Sequence, residues 1–180
     1  MKQFYILLVL ILIASFGYSQ NLFKATSGEI SFFSTTPIED IDATNKLVKA
    51  LINTENNETV FITTIIGFRF KKPLMEEHFN ENYMESDKYK TASFKGKILD
   101  EIDFSKDGKY DVTTKGILNI HGVDQEREVT GTLLIKEGKI ILTSIFDIKL
   151  EDHKIKVPKL ITKKIAETVQ VKMNVTFEKK

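Results

Sequence analysis

The chain has no cysteine and no tryptophan, and only three prolines and three histidines among its 180 residues. Without cysteine there is no disulfide, no thiol nucleophile and no sulfur to carry a lipid anchor. The fold must be held by its core alone. His78, His121 and His153 are far apart, and none pairs with another at a metal-ligand spacing such as H-x-x-x-H. No metal and no cofactor is therefore expected, although a barrel could still bring distant histidines together. Gly-x-Ser-x-Gly and P-loop patterns are also missing. Acidic residues Glu76, Glu77, Glu81 and Glu85 could suggest a glycosidase-like pair, but they read more simply as one solvated helix face. There is no excess of charge of either sign: 26 basic residues stand against 25 acidic ones. That balance argues against nucleic acid and against a strongly anionic membrane surface as partners.

Long apolar runs are absent with one exception, Phe4 to Ile13. It follows Lys2 and precedes a small-x-small site at Gly17-Tyr18-Ser19, which is the pattern of a signal peptide over residues 1–19. The run is shorter than the ~20 residues a spanning helix needs, so stable membrane insertion is not expected after cleavage. The expectation is export to the periplasm or beyond. Residues 20–180 then form a single domain, since neither a repeat nor a low-complexity linker divides them. About 160 residues can bury about 70% of their unfolded surface.

What is present is strand periodicity. Gly28 to Ser34 reads as a first strand ended by Pro37, and Ile38 to Ile52 as a long bulged strand, although a helical stripe fits that stretch too. Thr59 to Ile66 is β-branched and follows an Asn56-Asn57 turn. Pro73 opens a helix over Leu74 to Tyr83. A strand to about Phe104 then meets a turn at Asp107-Gly108. Further turns fall at His121-Gly122 and Glu137-Gly138, with Gly108 and Gly122 expected at positive φ. The last strand alternates most cleanly, Val169, Val171, Met173, Val175 and Phe177 against polar neighbours. Glu151 to Ala166 reads as a loop with a short helical turn. Long strands joined by tight turns make an antiparallel meander. With one apolar face and few helices to cover it, the sheet closes on itself.

Two stretches carry a resemblance. The first is an acidic helix with His78, followed by Ser86-Asp87-x-Tyr89-x-x-Ala92-x-Phe94. The second is Gly116-x-Leu118-x-Ile120-His121-Gly122-Val123. In order and spacing they resemble the "D-x-x-K-Y-P-x-A-x-F" and "L-T-I-H-G-V" segments of the YceI-like family of polyisoprenoid-binding periplasmic proteins. Lys90 stands where that family usually has Pro, and Asn119 where it has Thr. Asn82-Tyr83-Met84-Glu85 replaces the usual F-F-D. The resemblance implies an all-β fold, an antiparallel up-and-down barrel of about eight strands, lipocalin-like, with a tunnel for an isoprenoid or fatty chain.

The expected function is non-catalytic binding, transport or storage of an apolar, lipid-like chain. By alternation, Phe32, Phe94, Leu118, Leu133, Phe146 and Met173 face the ligand, and the lid helix adds Met75 and Phe79. Gly96, Gly116 and Gly131 share that inward face, either leaving a cavity or relieving curvature. Lys115 and Thr132 point outward. The competing readings are a barrel enzyme or isomerase with His78 or His121 as base, and a filled-core stress-response protein. Against a metal site, the simpler reading is that His121 holds a turn, His153 is a solvated loop residue and His78 is a helix residue at the pocket mouth. A homodimer is compatible with the sequence. N-terminal sequencing of the exported protein should begin at Gln20; a sequence beginning at Met1 would remove the signal-peptide assignment.

Overall fold

Two hairpins are set by residue pairs that accept a left-handed backbone. His121 and Gly122 have φ of 54° and 71°, and Glu137 and Gly138 have 51° and 74°. Positive φ at both central positions is the turn whose twist matches that of the strands it joins. In the computed structural model, which describes residues 21–35, 40–156 and 167–180, these turns connect β7 (Gly108–Ile120), β8 (Val123–Lys136) and β9 (Lys139–Lys149). Residues 1–20, on which the expected signal peptide falls, residues 36–39 with Pro37, and residues 157–166 lie outside the described residues.

The other strands are β1 (Leu22–Ser34), β2 (Ile41–Asn45), β3 (Val48–Asn53), β4 (Glu58–Thr64), β5 (Arg69–Phe70), β6 (Thr91–Ile98) and β10 (Thr168–Lys179). All pairings are antiparallel, and β1 pairs with β10 from Phe23↔Lys179 to Phe33↔Gln170, which closes the sheet. β2 and β3 are the two halves of one bulged strand along the other edge of β1. Counting them as one, and setting aside the two-residue β5, the barrel has the expected eight strands.

The kink between β2 and β3 has a specific cause. Asn45 is fully buried; its Nδ2 donates to the Thr64 carbonyl at 2.7 Å and its Oδ1 accepts from Leu47 N–H at 2.7 Å. A buried amide so satisfied replaces the ladder bonds lost at the kink. A Cβ on Gly67 would sit 2.7 Å from Asn45 Nδ2, so the bare backbone there makes room for the amide.

Between β5 and β6 the chain forms α1 (Pro73–His78) and then a wider π-turn, Phe79–Tyr83. The helix thus begins at Pro73, as expected, but its regular part ends five residues early. Two further expectations are corrected. β6 ends at Ile98, not near Phe104, and residues 99–107 form a loop whose Ile102 and Phe104 pack under the barrel floor. Asp103 holds that loop through Ser105 and Lys106, and these bonds bring its carboxyl down to about 2. Gly108 is the first residue of β7 and does not have positive φ, because the nine-residue loop removes the need for a tight turn.

Inward residues form two clusters. The floor cluster holds Phe23, Ile52, Phe61, Leu133, Ile140, Val175 and Phe177. The cluster at the lid end holds Ile65, Met84, Leu118, Ile120, Ile148 and Val171. Phe94 packs against both. Gly96 and Gly116 face each other across β6 and β7, and a Cβ on Gly116 would lie 2.4 Å from Gly96 Cα. That pair serves close strand approach, the curvature reading of the two considered.

The two turn glycines separate backbone strain from crowding. A Cβ on Gly138 meets nothing within 4 Å, whereas on Gly122 it would lie 2.5 Å from Tyr89 Cε1. Gly138→Ala should cost about 1 kcal/mol from φ alone, and Gly122→Ala more. Thermal melts check this; an unchanged midpoint for Gly122→Ala would show that the turn relaxes freely.

Candidate binding cavity

Alternation along seven strands directs apolar side chains to the barrel axis, and between the two clusters they do not quite meet. A cavity of about 90 Å³ remains. Phe94, Leu118, Phe146 and Met173, four of the residues expected to face a ligand, line it together. Sequence reasoning missed Ile30, Ala92, Val129 and Leu142 on the same wall, although each has the inward parity of a residue that was named, and it missed Phe61 on β4, a strand from which none was named. Thr63, Thr114 and Ser144 add hydroxyls. Ser144 Oγ donates to the Thr130 carbonyl at 2.6 Å, so that polar group is already satisfied. Gly131 also lines the cavity, while Gly96 and Gly116 do not. Leu133, expected on this wall, is wholly buried in the floor cluster below.

The lid end is closed by rings. Phe79 of the π-turn lies 5.5 Å from Phe32, 5.5 Å from Phe68 and 5.1 Å from Phe70, centroid to centroid. Phe32 in turn lies 5.4 Å from Phe68 and 5.8 Å from Phe70. Such pairs contribute about 1 kcal/mol each beyond the area they bury. Phe32 and Phe79 thus sit in the plug above the cavity, not on its wall. Met75 is half-buried on α1 and belongs to neither cluster. Phe68 and Phe70 were not foreseen; the alternation Phe68-Arg69-Phe70 was the available signal.

Glu76 clamps the lid. Its Oε1 accepts from Arg69 Nη1 at 2.8 Å and its Oε2 from Phe70 N–H at 3.2 Å, while its carbonyl accepts from Asn80 Nδ2 at 2.8 Å. Beyond the π-turn, Met84 is buried and Tyr83 partly so; burial raises the Tyr83 hydroxyl above its usual value of 10.0.

The histidines do not converge on the cavity. His78 is exposed on α1. His121 occupies its hairpin turn, as expected, with Nε2 at 2.8 Å from Glu85 Oε2 and Nδ1 at 3.2 Å from the His153 carbonyl. Both ring nitrogens face protein oxygens, so the ring ties the hairpin turn to the Glu85 and His153 segments. His153 is not solvated as expected. It is fully buried in the short 3₁₀ turn Glu151–His153, with Nδ1 at 3.3 Å from the Val123 carbonyl and Nε2 without a partner. The three-residue turn tucks the ring between β8 and β9, a placement with no signature in local sequence. Among the described residues, no group of three or more His, Cys, Asp or Glu could hold a metal ion, and no helix is long and apolar enough to cross a membrane.

The fold and its site therefore define a class: a closed eight-stranded antiparallel barrel with an apolar interior and a ring-capped mouth. The sequence matches the YceI-like domain over residues 14–177, and the chain belongs to that family. No curated protein matches it. Among solved structures, a polyisoprenoid binding domain from Saccharophagus degradans, implicated in plant cell wall breakdown, is similar with a TM-score of 0.76 at 15% identity. That match covers 89% of this chain and 99% of the other. BcnA from Burkholderia cenocepacia is similar with a TM-score of 0.71 at 14% identity, over 83% of this chain and 95% of the other. The YceI protein of Campylobacter jejuni gives 0.63 at 16% identity, over 81% and 90%.

The buried His153 is expected to make the structure acid-sensitive. Burial holds its pKa below the usual 6.5, against the opposing pull of the Val123 and Ile120 carbonyls. The unfolded chain takes up this proton near pH 6.5, the native one only at lower pH. Its contribution is therefore complete above about pH 6.5 and is lost as pH falls through that value towards the native pKa. The melting midpoint should drop between about pH 7.5 and 5.5, and His153→Gln should flatten that drop. An equal drop in both proteins would assign the acid sensitivity elsewhere.

Proposed function

We propose that the protein binds an apolar, chain-like ligand, a polyisoprenoid or a fatty acid or amide, inside the barrel, and carries or stores it outside the cytoplasm. The observation that supports this is the apolar cavity inside the barrel, walled by residues such as Phe94, Leu118, Phe146 and Met173 that also pack into the two core clusters. Family membership and the polyisoprenoid-binding relative point the same way. Transport outside the cytoplasm rests on the N-terminal apolar run and its small-x-small site.

At about 90 Å³ the cavity is smaller than the ~150 Å³ apolar void that holds one benzene. A long chain must therefore displace packed side chains around it, and the ring-capped lid is one candidate. The lid is suited to that role. Its ion pair is exposed at Arg69, 66%, though mostly covered at Glu76, 28%, and pairs that reach solvent hold weakly. Each methylene buried contributes about 0.8 kcal/mol, so a chain of ten or more carbons more than offsets the ring contacts it separates. The same small volume favours a second reading, a filled-core barrel with no ligand.

Titration of a fluorescent fatty acid or isoprenoid separates the two. Ala92 lies on the cavity wall, and Ala92→Phe should weaken binding about tenfold while costing about 1–3 kcal/mol of stability. Lys115 faces outward and pairs with Glu126 at 2.7 Å, so Lys115→Ala should bind as wild type does. Equal affinity in all three proteins would place the ligand outside the barrel. Native mass spectrometry of protein from its own host should show a bound lipid; an empty barrel that binds no chain would favour the filled core.

A further inference from the structure

Three side-chain hydroxyls of inward parity line the cavity, on Thr63, Thr114 and Ser144. A hydroxyl has one hydrogen to give. Two of the three have already given theirs to a backbone carbonyl: Thr63 Oγ1 to Leu47 at 3.5 Å and Ser144 Oγ to Thr130 at 2.6 Å. Among the described residues, the Thr114 hydroxyl has no partner at all. Thr114 is half-buried, whereas Val112 and Leu118 on the same face of β7 are buried. That remaining exposure is to the cavity the residue lines. A polar group turned to an apolar space without a partner is costly. Valine has the same shape and would line the wall without that cost.

The position along the barrel is set by the ladder. Thr114 lies opposite Ile98 on β6 and Val129 on β8. Ile98 and Val112 are buried in the floor cluster, so the free hydroxyl stands on the floor side of the cavity. β8 separates it from Ser144 on β9, and Gly131 of β8 carries no side chain to fill the space between them. The rest of the wall is apolar, and among the described residues no charged side chain lines it. An ionised group brought here would meet nothing to match its charge. An uncharged group that donates and accepts would meet the Thr114 hydrogen and the free lone pairs of Thr114 and Ser144.

We propose that the chain-like ligand enters head first, that its head is an uncharged hydrogen-bonding group, a hydroxyl or a primary amide, and that Thr114 is the residue that selects it. This rests on the reading of the barrel as a chain binder and narrows the ligand class, because it sets the ionised acid aside. The head sits against the floor cluster at Thr114, and the apolar tail runs along Phe94, Leu118 and Phe146, which also pack against the lid-end cluster.

The test uses one fluorescent polyene chain in four forms, as hydrocarbon, alcohol, primary amide and acid. Each is titrated at about pH 8, where a carboxylic acid is ionised, into wild type, Thr114→Val and Thr114→Ser, with a melt of each protein. Wild type should bind the alcohol or the amide about tenfold more tightly than the acid, since only the acid buries an unmatched charge. Thr114→Val should weaken the alcohol and the amide about fivefold, the worth of one neutral hydrogen bond, and leave the hydrocarbon unchanged. Thr114→Ser keeps the hydroxyl and should keep the order of the four forms. If Thr114→Val fails to fold, that order in wild type and Thr114→Ser decides. Binding of the acid by wild type as tight as that of the alcohol and the amide would overturn the proposal and leave the barrel reading intact. An equal loss of hydrocarbon and alcohol in Thr114→Val, or no loss of either, would make Thr114 plain wall and overturn it too. No binding of any form by wild type would remove the proposal and the chain-binding reading together.

Discussion

Closure of the sheet between β1 and β10 is the constraint on which the other features depend. A cysteine-free chain with so little helix has nothing else to satisfy the strand edges. A sheet edge exposes a row of unpaired N–H and C=O groups, and only closure removes it. Because β1 meets β10 along one side and β2 and β3 along the other, the inward faces of all eight strands are forced to share one interior. The cavity is what that geometry leaves when two clusters of side chains fill the ends and do not fill the middle. The Asn45 amide and the bulge at Ala25/Ser27 absorb the curvature that closure imposes on β1 and its neighbour.

Most of the fold was legible because strand parity is a two-residue code and turns carry their own chemistry. His121-Gly122 and Glu137-Gly138 announce left-handed pairs, and the strands between them follow at once. Asp107-Gly108 carries the same signal and misleads, since the fate of a turn motif depends on whether its flanking strands reach it, and β6 stops at Ile98. The split of Ile41–Asn53 was legible only as a bulge. Its cause, an amide buried against Thr64, is a contact between residues 19 apart that no local pattern records.

The site was legible in part. Parity placed Phe94, Leu118, Phe146 and Met173 around one axis, but parity says nothing about height along the barrel. That is why Leu133 went to the floor and Phe32 to the plug, although both face inward. β8 and β9 pair only from Gly131↔Ser144 to Lys136↔Lys139, and that early end had no local sequence signature, because it is decided by twist and by what the Glu151–His153 turn inserts.

The pairing that closes the barrel joins residues about 150 positions apart, with Ser27 opposite Thr176. A chain is made from its N-terminus, so β1 is formed first and its partner last. Contacts of such sequence separation form slowly, because the loop entropy must be overcome before the pairing rewards it. For that interval the open meander has two free edges, β1 and β9, and its apolar face has no ceiling. The seven residues of β1 from Gly28 to Ser34 include Ile30, Phe32 and Phe33, β-prone and of low charge. The feature that gives the finished barrel its freedom from edges therefore gives the unfinished one its greatest exposure to aggregation, concentrated in a strand that must wait for the rest of the molecule.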